Sequence, residues 1–431
     1  MINISKRKIK YSLNIGCLII LASYVTKGFL SSLQPVALLV LLISLLFGTK
    51  EDNLVLMIML IPYNSLLVLS GASIRGIFYL VASLKLLKRY GKIRISKYIL
   101  VIMSIWIFIE IANDIWAVEI FSLLNIVCGM LYFGMIVGCM EFEKIDVSFM
   151  ANMLCVSFII AIGFALIAGG GLQSYNNTIS SFRFGQEAVE LGGAMAIPIY
   201  AGIIVGVMIC RLSKNIGSQI VNLIVIVFVV VLGALTISRN FVLIFGVMIL
   251  FCIYWQIKHY NIRMLKIEGL CFLLLAMAYF FNRELIDNVL LKFTERITIG
   301  ESSRIDIYVD CLRYLFSNIK ACLFGEGCIN YHLLGEQQNY SFSMMAHNLF
   351  LDAWMSWGIV GITCFGVILY LLGKKLKVAQ CLKRESIYIL PALAYFAAIL
   401  TEGSFNYANV YMYILFCFIY MRGEAIRKVV G

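Results

Sequence analysis

A chain of 431 residues that is 62% hydrophobic and only 13% charged has too little polar surface for a water-soluble globule, in which about a quarter of residues carry charge. Its weakly charged windows of roughly 18 or more residues are long enough for a bilayer core of about 30 Å, and such solid apolar runs exclude a membrane β-barrel, whose strands alternate. The net charge of +12 is gathered in short clusters abutting apolar runs, the pattern of membrane orientation and not of a nucleic-acid surface.

In chain order, the apolar runs predict spans near 11–30, 34–48, 54–70, 73–87, 98–117, 119–140, 147–169, 188–210, 219–236, 239–257, 265–282, 346–372, 387–401 and 407–421. The second and fourth are short enough to be re-entrant or tilted. The expected fold is therefore an all-α polytopic membrane protein, one integral domain over 1–431 with about 12–14 transmembrane helices. The N-terminus has a basic start and an apolar run without a small-residue cleavage site, so it reads as a retained first span.

Basic clusters lie at "SKRKIK" (5–10), "KLLKRYGKIRISK" (85–97), "GKKLKVAQCLKRES" (373–386) and "RGEAIRK" (422–428). Alternating sides from a cytoplasmic N-terminus puts all four on the inner face, so both termini are expected inside. Two polar segments then face outward. One is the smaller loop 169–190, "GGGLQSYNNTISSFRFGQEAVE"; the other is the large extracytoplasmic loop 283–345. Most of the 13 cysteines lie in apolar runs, where they behave as small hydrophobes. Cys311, Cys322 and Cys328 fall in the large loop, where a disulfide is possible but has no sequence signature.

The large loop contains "ESSRIDIYVDCLRYLFSNIK" (301–320), in which Ile305, Tyr308, Leu312, Leu315 and Ile319 recur at helical spacing. Ser303 with Asp306 fits a capping box, which would put Arg304 at the first helical position. A cation is unfavourable there by about 0.3–1 kcal/mol, whereas a phosphate suits the free N–H groups and an Arg together. "LFGEGCIN" (323–330) follows as a glycine-containing turn with Gly325 and Gly327. In "TISRNFVLIFG" (236–246), Ser238 and Arg239 stand at the outer mouth of a span, against the usual charge bias. Arg183 is the corresponding cation of the smaller loop.

The stretch "SMMAHNLFLDAWMSWGIVG" (343–361) puts His347 and Asn348 where the large loop re-enters the membrane. Charging an imidazole there is costly, so His347 is expected to be neutral and able to accept a proton. One neutral acceptor with several outer-face arginines suits the deprotonation of a hydroxyl while an anionic phosphate departs. Each residue also has a structural reading: an incidental surface charge, a snorkelling or ion-paired arginine, a satisfied boundary histidine. Outside the cytoplasm there is no ready supply of nucleotides, so the donor must arrive activated, and a lipid-linked sugar pyrophosphate fits both bilayer and arginines. The loop carboxylates Glu295, Glu301, Asp306 and Asp310 do not form a metal-ligand set, so no metal or other cofactor is expected.

These stretches resemble the O-antigen polymerase and ligase superfamily (Wzy-type polymerases and WaaL-type ligases). "SRNFVL" (238–243), "SSRIDIYVD" (302–310), "LFGEGCIN" (323–330) and "AHNLFLDAWMSWGIVG" (346–361) occur in the family's order. The resemblance covers roughly the C-terminal half. It implies a metal-independent, inverting glycosyltransferase of the bacterial inner membrane that uses undecaprenyl-pyrophosphate-linked oligosaccharide as donor. It assigns His347 as the base on the acceptor hydroxyl and Arg239 and Arg304 as pyrophosphate ligands. Arg183 is a looser match, since the Asn usual a few residues on is not evident after "RFGQEAVE". Asn348, Ser238, Tyr308, Gly325 and Gly327 are supporting residues. The expected activity is polymerisation of repeat units of O-antigen, capsule or exopolysaccharide, alongside a chain-length regulator and a flippase. Ligation of polymer to a lipid A core or another acceptor is the alternative. A polysaccharide flippase is the reading from another class, for which Glu110, Asn125 and Asn222 are among the few polar candidates within spans.

Overall fold

The structure, a computed structural model, describes residues 2–69, 72–87, 96–170, 189–214, 217–260, 301–338, 340–344, 346, 348–384, 386–400 and 407–427, with isolated helical positions between 262 and 291. Side chains of 2–9, 189, 194, 301–304, 343–344, 384, 407–408 and 424–427 lie outside the description. So do most of the expected span 265–282 and of the smaller loop 169–190.

The chain is an all-α polytopic membrane protein. Among the described residues, six helices are long and apolar enough to cross a bilayer. The first helices are α1 (Ile2–Ser23) and α2 (Gln34–Phe47), the latter entered through a proline in its first turn, where the missing N–H costs nothing. Helix α3 (Lys50–Met59) starts where the Thr49 hydroxyl accepts from the Asp52 N–H, and Glu51 and Asp52 complement its dipole.

Here the structure departs from the expected span at 54–70. Helix α3 has 10 residues, and Ile61–Leu66 is a 3-10 turn with Pro62 near its start, where a helix cannot retain its ladder. A two-stranded antiparallel hairpin follows, β1 (Val68–Leu69) and β2 (Ala72–Ser73), with Val68 opposite Ser73. Every residue from Asn53 to Met59 is buried. The run is apolar because protein surrounds it, which also makes irregular backbone tolerable at membrane depth.

Next come α4 (Arg75–Leu87), α5 (Lys97–Asp114), α6 (Ile120–Cys139), α7 (Val147–Ala168), α8 (Gly193–Lys214), α9 (Gln219–Ala234) and α10 (Arg239–His259). Asp146 and Ser218 cap α7 and α9 through their side chains. Helix α4 lies along α6, where the Gly76 N–H donates to Asn125 Oδ1 at 2.6 Å. Asn125 is thus a helix–helix acceptor. After the outer elements come α14 (Leu349–Lys375), α15 (Val378–Arg384), α16 (Leu390–Ile399) and α17 (Tyr407–Arg427). Helix α16 seats against α8 at Gly202 and Gly206, and a Cβ on Gly206 would stand 2.8 Å from the Pro391 nitrogen. Small residues let these two backbones approach, the usual way of packing helices in lipid.

Charged side chains from distant parts of the chain collect at one end of the bundle. Lys10 pairs with Asp52 at 3.2 Å, Lys50 Nζ donates to the Leu86 carbonyl at 2.7 Å, and Lys375 Nζ donates to the Val137 carbonyl at 2.9 Å. Arg422 pairs with Glu143 in the turn between α6 and α7. The hydrogen bond from Arg422 holds the Glu143 carboxyl below its ordinary value. A lowered folded value stabilises above the unfolded carboxylate range and is lost as the pH falls through it. In detergent, unfolding temperature should therefore drop further for wild type than for Glu143→Gln when the pH is taken from about 6 to about 3. Parallel curves for the two proteins would show that the pair does not couple to folding.

Candidate functional site

The described part of the large polar loop expected at 283–345 holds helix α11 (Glu301–Ser317), the short α12 (Ile319–Phe324), a turn, and α13 (Asn330–Gln337). Two details differ from expectation. Helix α11 already begins at Glu301, an acid that suits the positive end of the dipole, so Ser303 is not its cap and Arg304 is its fourth residue. Its buried face is Ile307, Cys311, Tyr314 and Leu315, while Ile305 and Ile319 are exposed. Ile319 belongs to the next helix, because Asn318 intervenes as a cap whose Oδ1 accepts from the Ala321 N–H. Ala321, Tyr331, Phe342, Ala346 and Met355 complete this outer core.

The turn after α12 is built into a break in α14. Gly358 has φ +62 and ψ −175, so α14 leaves its helical path there. A helical carbonyl normally accepts from four residues on, and the break releases the carbonyls just before it. They are taken up by the loop: the Glu326 N–H donates to the Met355 carbonyl at 2.8 Å and the Gly327 N–H to that of Ser356 at 2.9 Å. Two glycines make the approach possible. A Cβ on Gly325 (φ +73) would lie 2.3 Å from the Ser356 oxygen, and one on Gly358 would lie 2.3 Å from the Leu323 carbonyl carbon.

Helix α5 grips the same turn from the other side. Glu110 and Asp114 are both fully buried. Glu110 accepts from the Cys328 N–H at 3.3 Å, the Cys328 thiol at 3.2 Å and the Trp357 indole N–H at 2.9 Å. Asp114 accepts from the Ile329 and Asn330 N–H groups at 3.4 and 3.1 Å, capping α13 from another helix. Asn113 donates to the Phe324 carbonyl at 2.9 Å. A Cβ on Gly327 would collide with Asp114 Oδ1. Glu110, a candidate for a transport path in the sequence, is thus an anchor for the loop. Glu326, also buried, receives the Tyr314 hydroxyl and Lys320 at 3.2 and 2.7 Å. Burial and then that carboxylate push the Tyr314 phenol up to about 12. Cys311, Cys322 and Cys328 are free thiols.

At the re-entry point, Asn348 caps α14, its Oδ1 accepting from the Phe350 and Leu351 N–H groups at 3.0 and 3.3 Å. Its amide donates to the Leu400 carbonyl at 3.2 Å. The buried Asp352 accepts from the Ala346 N–H at 2.9 Å and the Tyr331 hydroxyl at 2.7 Å. Backbone on both sides of position 347 is therefore held by named contacts. His347 itself and Arg183 lie outside the described residues, as does the side chain of Arg304. Tyr308 is half-buried at the edge of the outer core. Ser238 caps α10 through its hydroxyl, which accepts from the Asn240 N–H at 3.3 Å. Arg239 is the first, half-buried residue of that helix. The structure brings Tyr308, Gly325, Gly327 and Asn348 into one packed unit of α11–α14, whereas α10, which carries Ser238 and Arg239, packs on α8 and α16.

Residues 222–366 match the family model described as O-Antigen ligase. That region is similar to O-antigen ligases. That match supports the O-antigen polymerase and ligase superfamily and a membrane enzyme of that type. It takes in α9 to the middle of α14, hence Ser238, Arg239, Arg304, Tyr308, Gly325, Gly327, His347 and Asn348, and leaves Arg183, Glu110 and Asp114 outside. No curated protein matches the chain.

Sequence reasoning passed over Asp114, Asp352, Tyr331 and Trp357. A signal existed for one pair: Glu110 and Asp114 are four apart on an otherwise apolar span, hence on one helix face, and acids within a span are seldom idle. Nothing local marked Asp352, whose partners lie on another helix and at the loop's end. Asp352→Ala, which leaves two buried donors without their acceptor, should cost about 2–4 kcal/mol, and Gly325→Ala at least as much. Thermal unfolding in detergent measures both. Wild-type stability in either would show that the turn and the re-entry segment are not tightly docked.

Proposed function

We propose that the protein is a membrane glycosyltransferase that polymerises undecaprenyl-pyrophosphate-linked oligosaccharide repeat units on the outer face of the bacterial inner membrane. The observation that carries this reading is the family match over 222–366, which contains the candidate base and two of the three candidate arginines. In the proposed reaction the imidazole of His347 takes the proton of an acceptor hydroxyl. The hydroxyl oxygen then forms a bond to the anomeric carbon of the donor, and the bond from that carbon to the pyrophosphate oxygen breaks. The configuration inverts and undecaprenyl pyrophosphate leaves with its electron pair. Arg239 and Arg304 bind the departing anion, a bidentate contact that guanidinium makes and ammonium does not. Arg183 is proposed as a further contact from the smaller loop.

The supporting geometry is the rigidity of the outer unit. Helix α11, which carries position 304, shares one core with Ala346 and with Met355 of α14, and positioning of this kind is worth several orders of magnitude in rate. A second reading is ligation of finished polymer to a lipid A core, favoured by the description of the matched family as a ligase. Transport is disfavoured because Glu110 and Asn125 serve as interhelical acceptors.

Purified protein given lipid-pyrophosphate oligosaccharide should yield a ladder of lengthening products. A single product on a fixed acceptor would establish ligation instead, and no transfer to either acceptor would reject the reading. His347→Ala should lower turnover by about 10²–10⁴ with the protein still folded, and Arg304→Lys should also fail. EDTA should leave the rate unchanged. A cysteine at the exposed Gln337 should react with an impermeant maleimide from outside intact cells; protection there would invert the topology.

A further inference from the structure

The charged end of the bundle, opposite the α11–α13 unit, holds a cavity of about 330 Å³. It is lined by Gly48, Thr49, Lys50 and Glu51 at the start of α3, Lys85 in the last turn of α4, Cys139 at the end of α6, and Glu141 and Lys144 after it. Three ammonium groups thus converge from three separate elements. The Lys50 side chain is fixed by its bond to the Leu86 carbonyl. Lys144 engages Glu141 at 2.8 Å. Among the described residues no carboxylate forms an ion pair with Lys85. Three ammoniums against two carboxylates leave the cavity positive.

The surroundings indicate what brings the anion. Leu39, Ile43 and Phe47 stand exposed at helical spacing along α2, and Leu80 and Leu84 along α4. The two helices pack together, and both lead to the cavity, α2 ending beside Gly48 and α4 carrying Lys85 in its last turn. Phe47 directly precedes the glycine that opens the cavity. A soluble anion would use the ammoniums and ignore the stripes; a lipid uses both.

We propose that this cavity binds the phosphate of an anionic glycerophospholipid, with the acyl chains lying on the α2–α4 surface. Lysine binds phosphate as a point charge, and juxtamembrane lysines attract anionic headgroups from the surrounding leaflet. A zwitterionic headgroup brings its own ammonium against the three lysines and binds worse. The site is remote from the outer unit, and its test does not depend on any transferase activity.

Full-length protein in nanodiscs containing equal amounts of phosphatidylglycerol and phosphatidylcholine, released and weighed by native mass spectrometry, should retain phosphatidylglycerol preferentially. The double variant Lys85→Gln/Lys144→Gln, which spares the Lys50 anchor, should lose that preference by about fivefold for each lysine removed. Lys85→Arg, which keeps the charge, should retain it, and Lys27→Gln at the opposite end should not change it. Size-exclusion profiles establish that each variant is folded. Equal retention of both lipids, or an unchanged preference in the double variant, would overturn the proposal. Displacement of phosphatidylglycerol by millimolar inorganic phosphate would also overturn it and make the cavity a site for a soluble anion.

Discussion

The structure depends on a short backbone exchange between a membrane helix and an outer loop. At Gly358 the helix gives up part of its own ladder, and the turn Gly325–Gly327 supplies the missing donors. In water such a break is filled by solvent. In hydrocarbon an unpartnered carbonyl costs several kcal/mol, so the break in α14 exists only together with the loop that closes it. Loop and helix are therefore one structural unit, although a hydropathy profile separates them.

The carboxylates of α5 extend that unit. Two acids within a span are expensive, and here each is surrounded by donors: backbone N–H groups of 328–330, a thiol and an indole. The cost of placing them in the membrane is offset only when the turn is in position, which makes docking specific as well as tight. Asp352 repeats the device at the other end of the loop, with one carboxylate oxygen joining α13 and the residue before His347. The α11–α13 unit thus meets the bundle at a few buried polar points, each bonded to the other partner.

Hydropathy made most of the bundle legible. The helices from α5 to α10, and α14, α16 and α17, lie within a few residues of the expected spans, because a run facing lipid must be apolar, whereas the short α15 falls in a segment expected to be a basic loop. The run at 54–70 misled for the same reason: burial in protein selects the same residues as burial in lipid, and only Pro62 hinted at the difference. On α11 the helical period held but the buried face is shifted, because the exposed Ile305 is as apolar as the buried Ile307, and the expected stripe ran past the helix end at Ser317 to Ile319. The glycine turn was recognisable as a turn, but its receptor was not. Gly358 looks like any small residue of a membrane helix until its positive φ is known. The acids that hold the turn lie some 218 positions earlier in the chain, beyond the reach of any local pattern.

That separation bears on biogenesis. Ribosomes deliver α5 to the membrane long before residues 325–330 exist, so its two acidic side chains are made well before the donors that later surround them. Their final ligands arrive only after several further helices have been inserted. The closing of the loop onto α5 is consequently a late assembly event, and one that reports on everything made in between. A chain truncated before that point would leave both acids without the donors that the turn supplies.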